Sequence, residues 1–381
     1  MMYNTAMTQS LSVKCKLIVP VECQAKLDET LQGFADACNQ ILSIATRENC
    51  WNTTKLHHLS YYTVKGETGL KANHVCQAIR RVIGNSKLTK KIDKFRPTSI
   101  SLDVRTFKYV KKSQIVGITL KSGRVQFNLS IGGYQIALLR SQILTSATLN
   151  KTRQGDYYIN FTIELDTPPT GKTPKVIGVD LGRRTIAATS TGQEWSGEEI
   201  KTVRDKYSQV RSSIQSKCTK SAKRLLRRLS GKEARFQKHI NHVISKKLVA
   251  EAKQLNASLA FEDLKGINKS LNKQPRSKTE RRRSNSWAFY QLKSFVQYKA
   301  AVKGVPVIFV PPAYTSQTCH KCLHIHPVKG QSYRSGKSFK CGHCGFTGDA
   351  DFNASNVISL LGASVSVPES SALFCSLSIQ G

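Results

Sequence analysis

Acidic residues are scarce in this chain. Only 24 Asp plus Glu stand against 59 Lys plus Arg, a formal charge of +35 over 381 residues. A field of that size points to a polyanionic partner, nucleic acid first, more than to a solubility device. Long apolar runs are missing too: none reaches the ~18 residues that a membrane-spanning helix needs. The stretch Met1–Ser10 lacks a charged segment followed by an apolar core. These absences argue against insertion into a membrane or secretion, so an intracellular protein is expected. Of the 11 cysteines, the seven at 15, 23, 38, 50, 76, 218 and 375 have no framework spacing. That excludes a disulfide-stapled scaffold and fits reduced, mostly buried thiols. What remains is a globular chain, 39% hydrophobic and long enough for two or three domains with cores of their own.

Residues 11–20 alternate apolar and polar and predict a strand; Leu27, Leu31, Phe34, Ala37, Ile41 and Ile44 then recur at spacings of 3 and 4 and predict a helix from 24 to about 47. Residues 51–90 are basic and mostly helical. From Phe95 to Asp166 the pattern changes to short alternating runs, the signature of an antiparallel β module, a small barrel closed with the first strand. Its aromatics Phe107, Tyr109, Tyr134, Tyr157 and Tyr158 are interspersed with basic residues. Rings so placed can stack on nucleic acid or fill a core. Residues 167–174 read as a linker.

Beyond the linker, residues 175–182 form an apolar strand carrying one carboxylate, Asp180, and T-I-A-A-T-S reads as its paired neighbour. An acid inside an apolar run points into a site or is buried at a cost of roughly several kcal/mol. Residues 197–257 are helical, with Phe236, Ile240, Ile244, Leu248 and Ala252 tracing an apolar stripe. The opposite faces carry Lys223, Arg224, Arg227, Arg228, Lys232, Arg235 and Lys238, a cluster able to neutralise a phosphate backbone. S-L-A-F-E-D-L, residues 258–264, is a further strand ending in Glu262 and Asp263. Strand periodicity puts those two acids on opposite faces, so one of them can serve a common site. A polar, basic loop at 265–286, expected to be mobile, a helix, and a buried parallel strand in G-V-P-V-I-F-V-P-P complete this half. The tail beyond Gly362 carries no chemical signal.

Cys319 and Cys322 are separated from Cys341 and Cys344 by 18 residues, the spacing of a four-thiolate zinc site built from two CxxC knuckles. Four protein ligands leave no open position for substrate water, so such a metal staples rather than catalyses. Soon afterwards Asp351, with Asp349 two residues before it, opens the apolar run Phe352, Val357, Ile358 and Leu361. The ribbon thus looks like an insertion delivering an acid to a site made elsewhere. Strand, strand, helices, strand, helix, strand, helix is the order of a ribonuclease-H-like α/β layer. Asp180, Glu262 and Asp351 brought together would repel and raise one another's pKa unless divalent cations neutralise them. Hard oxygen ligands suit Mg²⁺ or Mn²⁺. Two such ions about 4 Å apart can activate a water and stabilise the leaving oxygen in a phosphodiester displacement.

The segments G-V-D-L-G, A-F-E-D-L, the Y-T-S-Q-T-C-x-x-C ribbon and D-x-N-A-S-N-V-I resemble the three RuvC segments and zinc ribbon of the transposon-encoded TnpB proteins, relatives of type V CRISPR nucleases. The likeness covers residues 174–362; residues 11–166 resemble that family's wedge and recognition modules more loosely. It implies a first strand of a wedge β-barrel at 11–23, a helical recognition insertion at 24–94, and the rest of the barrel at 95–170. A RuvC nuclease domain would follow at 171–314, a zinc ribbon at 315–348, the last RuvC segment at 349–362 and a tail at 363–381. It further implies an RNA-guided DNA endonuclease that binds a guide RNA from the transposon end and cuts double-stranded target DNA. Asp180, Glu262 and Asp351 would be its Mg²⁺ ligands, Asp351 being preferred to Asp349 because D-x-N-A falls on it. Two departures stand out: Ala350 replaces an often basic residue, and Leu323 replaces the glycine that customarily follows the first knuckle.

Two other functions fit parts of this pattern. An RNA-guided repressor would bind DNA without cutting it. A strand-transfer transposase would use a His-hydrophobe-His pair, which occurs once, as His324, Ile325 and His326, in the loop between the knuckles rather than on a strand.

Overall fold

The computed structural model describes residues 8–89, 92–168, 173, 175–182, 184–229, 231–264, 289–328 and 331–366. The basic loop expected at 265–286 lies outside the described residues. No helix among them is long and apolar enough to cross a membrane. The chain divides into two compact units, one of Ser10–Leu165 and one running from Asp166 onward.

In the first unit, β1 (Thr8–Ile18) buries Val13, Cys15 and Leu17 on one face. Helix α1 (Val21–Arg47) begins three residues earlier than its apolar periodicity suggests. Pro20 sits at its N-cap, where the missing N–H costs nothing. Helix α2 (Thr53–Thr68) is capped by the Asn52 side chain, which accepts from the N–H groups of Thr54 at 3.0 Å and Lys55 at 3.1 Å; α3 (Ala72–Leu88) follows. Six more strands are β2 (Ser99–Asp103), β3 (Phe107–Val110), β4 (Ile115–Leu120), β5 (Gly123–Ser130), β6 (Ser146–Lys151) and β7 (Tyr157–Asp166), with α4 (Gly133–Arg140) between β5 and β6. They form one nearly closed barrel sheet in the order β2-β6-β7-β1-β5-β4-β3, so the first strand lies at its centre. Most of the aromatic series is core. Phe107 and Tyr157 are buried, and Phe107 and Tyr109 pack their rings on Phe161. Tyr134 is exposed, and Tyr158 lies under the ammonium of Lys14.

The second unit is built on β8 (Lys175–Asp180), β9 (Thr185–Thr189), β10 (Glu194–Ser196), β11 (Ala257–Glu262) and β12 (Val307–Val310). The strand order is β10-β9-β8-β11-β12. Strand β9 runs antiparallel to both β8 and β10, whereas β11 pairs in parallel with β8 and with β12. Helices α5 (Glu198–Ser216), α6 (Lys220–Leu229) and α7 (Lys232–Gln254) join β10 to β11, and α8 (Phe289–Lys303) precedes β12. One face of the sheet, with Ile177, Val179, Leu259 and Phe261, shares a core with Ile244, Leu248 and Ala252 of α7 and Leu292, Val296 and Ala300 of α8. The other face presents Val176, Gly178 and Ala260 to α9 (Ala350–Ser366), which therefore runs past Gly362 into the expected tail. Gly178 and Gly362 set that approach. A Cβ on Gly178 would collide with the backbone of Ser355 and Ser359, and one on Gly362 would lie 2.6 Å from the Ala260 Cβ.

Between β12 and α9 stands a small three-stranded sheet of β13 (Arg334–Ser335), β14 (Ser338–Lys340) and β15 (Thr347–Asp349), with an isolated bridge from Thr318 to Ile325.

Candidate metal-binding sites

The four cysteines come together. Their sulfurs all lie within 4.8 Å of one another, with Cys319 to Cys344 and Cys322 to Cys341 both at 3.7 Å. A tetrahedron with Zn–S bonds of ~2.3 Å has edges of ~3.8 Å. The donor set and its spacing therefore suit zinc without rearrangement. Burial pushes the Cys341 thiol up, but the N–H groups of Cys344 and His343 outweigh it and bring it down to about 7. A thiolate is what the metal requires. Each knuckle turns through a left-handed residue after its second cysteine, Gly345 at φ 72° and Leu323 at φ 58°. The missing glycine of the first knuckle is thus a leucine held in a conformation that favours glycine. His324, Ile325 and His326 stay in the ribbon, where His324 stacks on His343 and His326 packs on Tyr333.

The sheet supplies the first two acids. Asp180 ends β8 and Glu262 ends β11, and parallel pairing aligns Phe261 with Val179. The next pair in register is Asp180 and Glu262, both on the Gly178–Ala260 face because side chains alternate. Asp263 points to the other face, where Lys293 of α8 donates to it at 2.9 Å. The third acid arrives on α9, pressed against that same Gly178–Ala260 face. Asp351 lies in its first turn, 6% exposed. Asp349 is the cap of this helix, its Oδ1 accepting from the N–H groups of Asp351 at 2.8 Å and Phe352 at 2.9 Å. That role occupies one oxygen of the Asp349 carboxylate.

Asp180 is acted on by the charge of both other acids. The Asp180 carboxyl is held at about 7, raised by burial first and by Glu262 and Asp351 next, against a downward pull from Arg334 and the Leu181 N–H. Burial also raises Glu262, opposed by a hydrogen bond that its Oε1 accepts from the Thr315 hydroxyl. Among the described residues, the cysteines are the one set of three or more such ligands gathered within 4.8 Å. The acids face one another less tightly, Asp351 being paired with Arg334 Nη2 at 2.7 Å. Asp180 and Glu262, half-buried and both raised, and the buried Asp351 are oxygen donors of the kind that suits a hard cation.

A cavity of about 540 Å³ opens beside Asp351, lined by Arg184, Thr185, Gln317, Arg334 and Lys337 among others. Lys337 reaches from the ribbon to Glu194 of β10 at 2.7 Å. Neither Arg334, Lys337 nor Thr315 carries a periodic signal in the sequence, and each finds its partner across the fold. The basic cluster is displayed on α6 and the start of α7: Lys223, Arg224, Arg227, Arg228, Lys232, Arg235 and Lys238 are all exposed or half-buried.

The fold resembles that of Cas12f1. A cryo-EM structure of a Cas12f1–sgRNA–target DNA complex matches with a TM-score of 0.65 at 12% identity, over 92% of this chain and 99% of that one. The family model described as "Probable transposase" matches residues 160–268, and that of the Cas12f1-like TNB domain matches residues 289–358. A TnpB-like protein of Methanocaldococcus jannaschii is 35% identical over 156 residues, which are 40% of this chain and 54% of that protein. The Cas12f1 CRISPR-associated endodeoxyribonuclease of Sulfoacidibacillus thermotolerans is 28% identical over 239 residues, 58% of this chain and 53% of that one. Over these stretches the chain is similar to TnpB-like proteins and to Cas12f1 endodeoxyribonucleases. Its matched stretch spans about half the length of these relatives.

Proposed function

We propose that this protein is an RNA-guided DNA endonuclease whose second unit is a ribonuclease-H-like, RuvC-type nuclease domain. Asp180, Glu262 and Asp351 are its ligands for Mg²⁺ or Mn²⁺. The observation that carries the reading is the alignment of Asp180 and Glu262 at the carboxyl ends of two parallel neighbours, with Asp351 delivered onto the same face by α9. The strand order, with the antiparallel ladder β8-β9-β10 on one side of β8 and the parallel strands β11 and β12 on the other, supports the ribonuclease-H-like assignment. Cation chemistry at such a site activates water and stabilises the leaving oxygen of a phosphodiester. The chain's own residues hold the carboxylates in place, keep Asp180 poised to release its proton near neutrality, and line the adjoining cleft with Arg184, Arg334 and Lys337 for a phosphate backbone.

In this reading the zinc held by Cys319, Cys322, Cys341 and Cys344 is structural. The barrel of the first unit is the wedge (strand 11–23 and residues 95–170), with the helices of 24–94 as recognition insertion. Residues 171–314 and 349–362 are the nuclease domain and 315–348 the ribbon. The partners are a guide RNA from the transposon end and double-stranded DNA, and the cations of α6 and α7 contact their backbones. The names of the relatives as endodeoxyribonucleases support the reaction class, and the +35 charge supports the partners.

The test is cleavage of target DNA by the protein expressed with its flanking DNA and co-purified RNA. Mg²⁺ should be required, and Asp180→Asn should abolish cutting while RNA and DNA binding persist. Binding without cutting by the unaltered protein would transfer the assignment to a guided repressor, and joining of DNA ends lost in His324→Ala would transfer it to a transposase.

A further inference from the structure

The three acids are anchored differently. Asp180 and Glu262 ride on paired strands, but the first turn of α9, which carries Asp351, is held by the zinc ribbon. Ala350 N–H donates to Lys337 O at 2.7 Å, and Asp349 caps the turn. The third tie is Asn353, fully buried two residues beyond Asp351. Its Oδ1 accepts from the His320 backbone N–H at 3.0 Å and from the His320 ring Nδ1 at 2.9 Å, and its Nδ2 donates to Thr318 O at 2.8 Å. Thr318 and His320 flank the zinc-ligand candidate Cys319. A backbone N–H can only donate and a carbonyl can only accept, so a carboxamide satisfies both at once; a carboxylate would face Thr318 O without a donor.

We propose that Asn353 is a positioning residue that couples the two metal sites: the order of the first zinc knuckle, transmitted through this side chain, sets the position of Asp351 and hence the affinity of the acid cluster for a hard cation. This rests on the reading that Asp180, Glu262 and Asp351 bind such a cation. Thiolate coordination of zinc fixes Cys319, and with it Thr318 and His320. Loss of zinc frees the segment to which Asn353 is bonded, and the first turn of α9 loses its firmest lateral tie. The sheet-borne acids keep their places, so the defect falls on Asp351 alone.

The experiment measures Mn²⁺ binding to the full-length chain by the loss of the free-ion electron paramagnetic resonance signal, before and after zinc is stripped with a chelator. In the unaltered protein, stripping should weaken Mn²⁺ binding about tenfold, the scale on which outer-shell partners tune a metal site. Asn353→Asp should keep one zinc per chain, bind Mn²⁺ about tenfold more weakly from the start, and lose little more on stripping. Mn²⁺ binding by zinc-loaded Asn353→Asp equal to that of the unaltered protein would overturn the coupling, as would an equal loss in both on stripping. Should Asn353→Asp not retain zinc, His320→Ala decides. It removes the ring bond and keeps the backbone one, so a partial weakening sustains the coupling and unchanged binding overturns it. Asp180→Asn separates the two questions: Mn²⁺ binding that survives there places the ion elsewhere and removes the cation-site reading itself.

Discussion

Arg334 donates from Nη2 to Oδ1 of Asp351 at 2.7 Å. The hairpin that packs beside the zinc knuckles therefore lays a cation on the acid whose helix the same ribbon holds at Lys337 O. The pair is mostly buried, Asp351 leaving 9% of its side chain exposed and Arg334 32%. Arg334 also lowers the carboxyl of Asp180. One guanidinium thus pairs with Asp351 and opposes the burial that raises Asp180.

A pH dependence follows for the metal-free protein. The folded value of Asp180, about 7, lies above its ordinary 3.8, so the folded state binds the extra proton between those limits. The stability this group contributes is present below pH 4 and is lost as pH rises through 7. Thermal denaturation in a chelator of Mg²⁺ should show Tm falling over that window. Asp180→Asn should flatten the fall and be more stable at pH 8 by on the order of 4 kcal/mol. Arg334→Ala should steepen it, and added Mg²⁺ should reverse it.

Gly178→Ala tests the packing that brings Asp351 to the sheet. The new methyl would collide with the α9 backbone at Ser355 and Ser359, and backbone yields less easily than a side chain. A loss of about 3 kcal/mol in denaturant unfolding is expected. DNA cleavage should drop about a hundredfold even where the variant remains folded, since a displacement of ~1 Å suffices for that. Unchanged cleavage would show that α9 tolerates a shift without moving its acid.

At Leu323 the expected change is a gain. This residue holds φ 58° where Gly345 holds φ 72° in the second knuckle, and left-handed backbone costs a residue with a Cβ about 1 kcal/mol. Leu323→Gly should retain zinc and release it more slowly to a chelating dye, by up to about fivefold on that energy. Gly345→Leu should release it faster. Cys341→Ser, which removes a thiolate, should lower bound zinc below one per chain.

The cations of α6 should govern salt dependence. Replacing Lys223, Arg224, Arg227 and Arg228 by Gln should leave Tm nearly unchanged and weaken RNA or DNA binding in all sequences alike. The slope of log affinity against log salt should fall by about 1 for each phosphate that is no longer neutralised. A variant with the parent slope would mark this face as merely solvated.

Much of the second unit is written locally. The spacing of Cys319, Cys322, Cys341 and Cys344 suffices to bring four sulfurs together, because each pair sits in one turn and the two turns meet. Alternation along S-L-A-F-E-D-L separates Glu262 from Asp263, and the structure gives them different partners, Thr315 and Lys293. The apolar stripe of α7 packs as its period requires. In the barrel the same reasoning runs short: β6 and α4 have no strong pattern, and the aromatics could equally have faced outward until pairing turned them in.

Sequence by itself determined which residue types are available for chemistry: three acids in apolar frames, four thiols at knuckle spacing, and an excess of positive charge. The tertiary structure alone decided what each one does with its neighbours. Asp349 became a cap, Asp351 an ion-paired acid, Asn353 a strut and Arg334 a counter-charge, although Asp349, Asp351 and Asn353 lie within five residues. Periodicity reports the face on which a side chain lies, but a hydrogen bond or ion pair depends on angstrom-scale approach between segments 17 to 53 residues apart. The approach of α9 to the sheet is set by two glycines, Gly178 and Gly362, where a Cβ would collide.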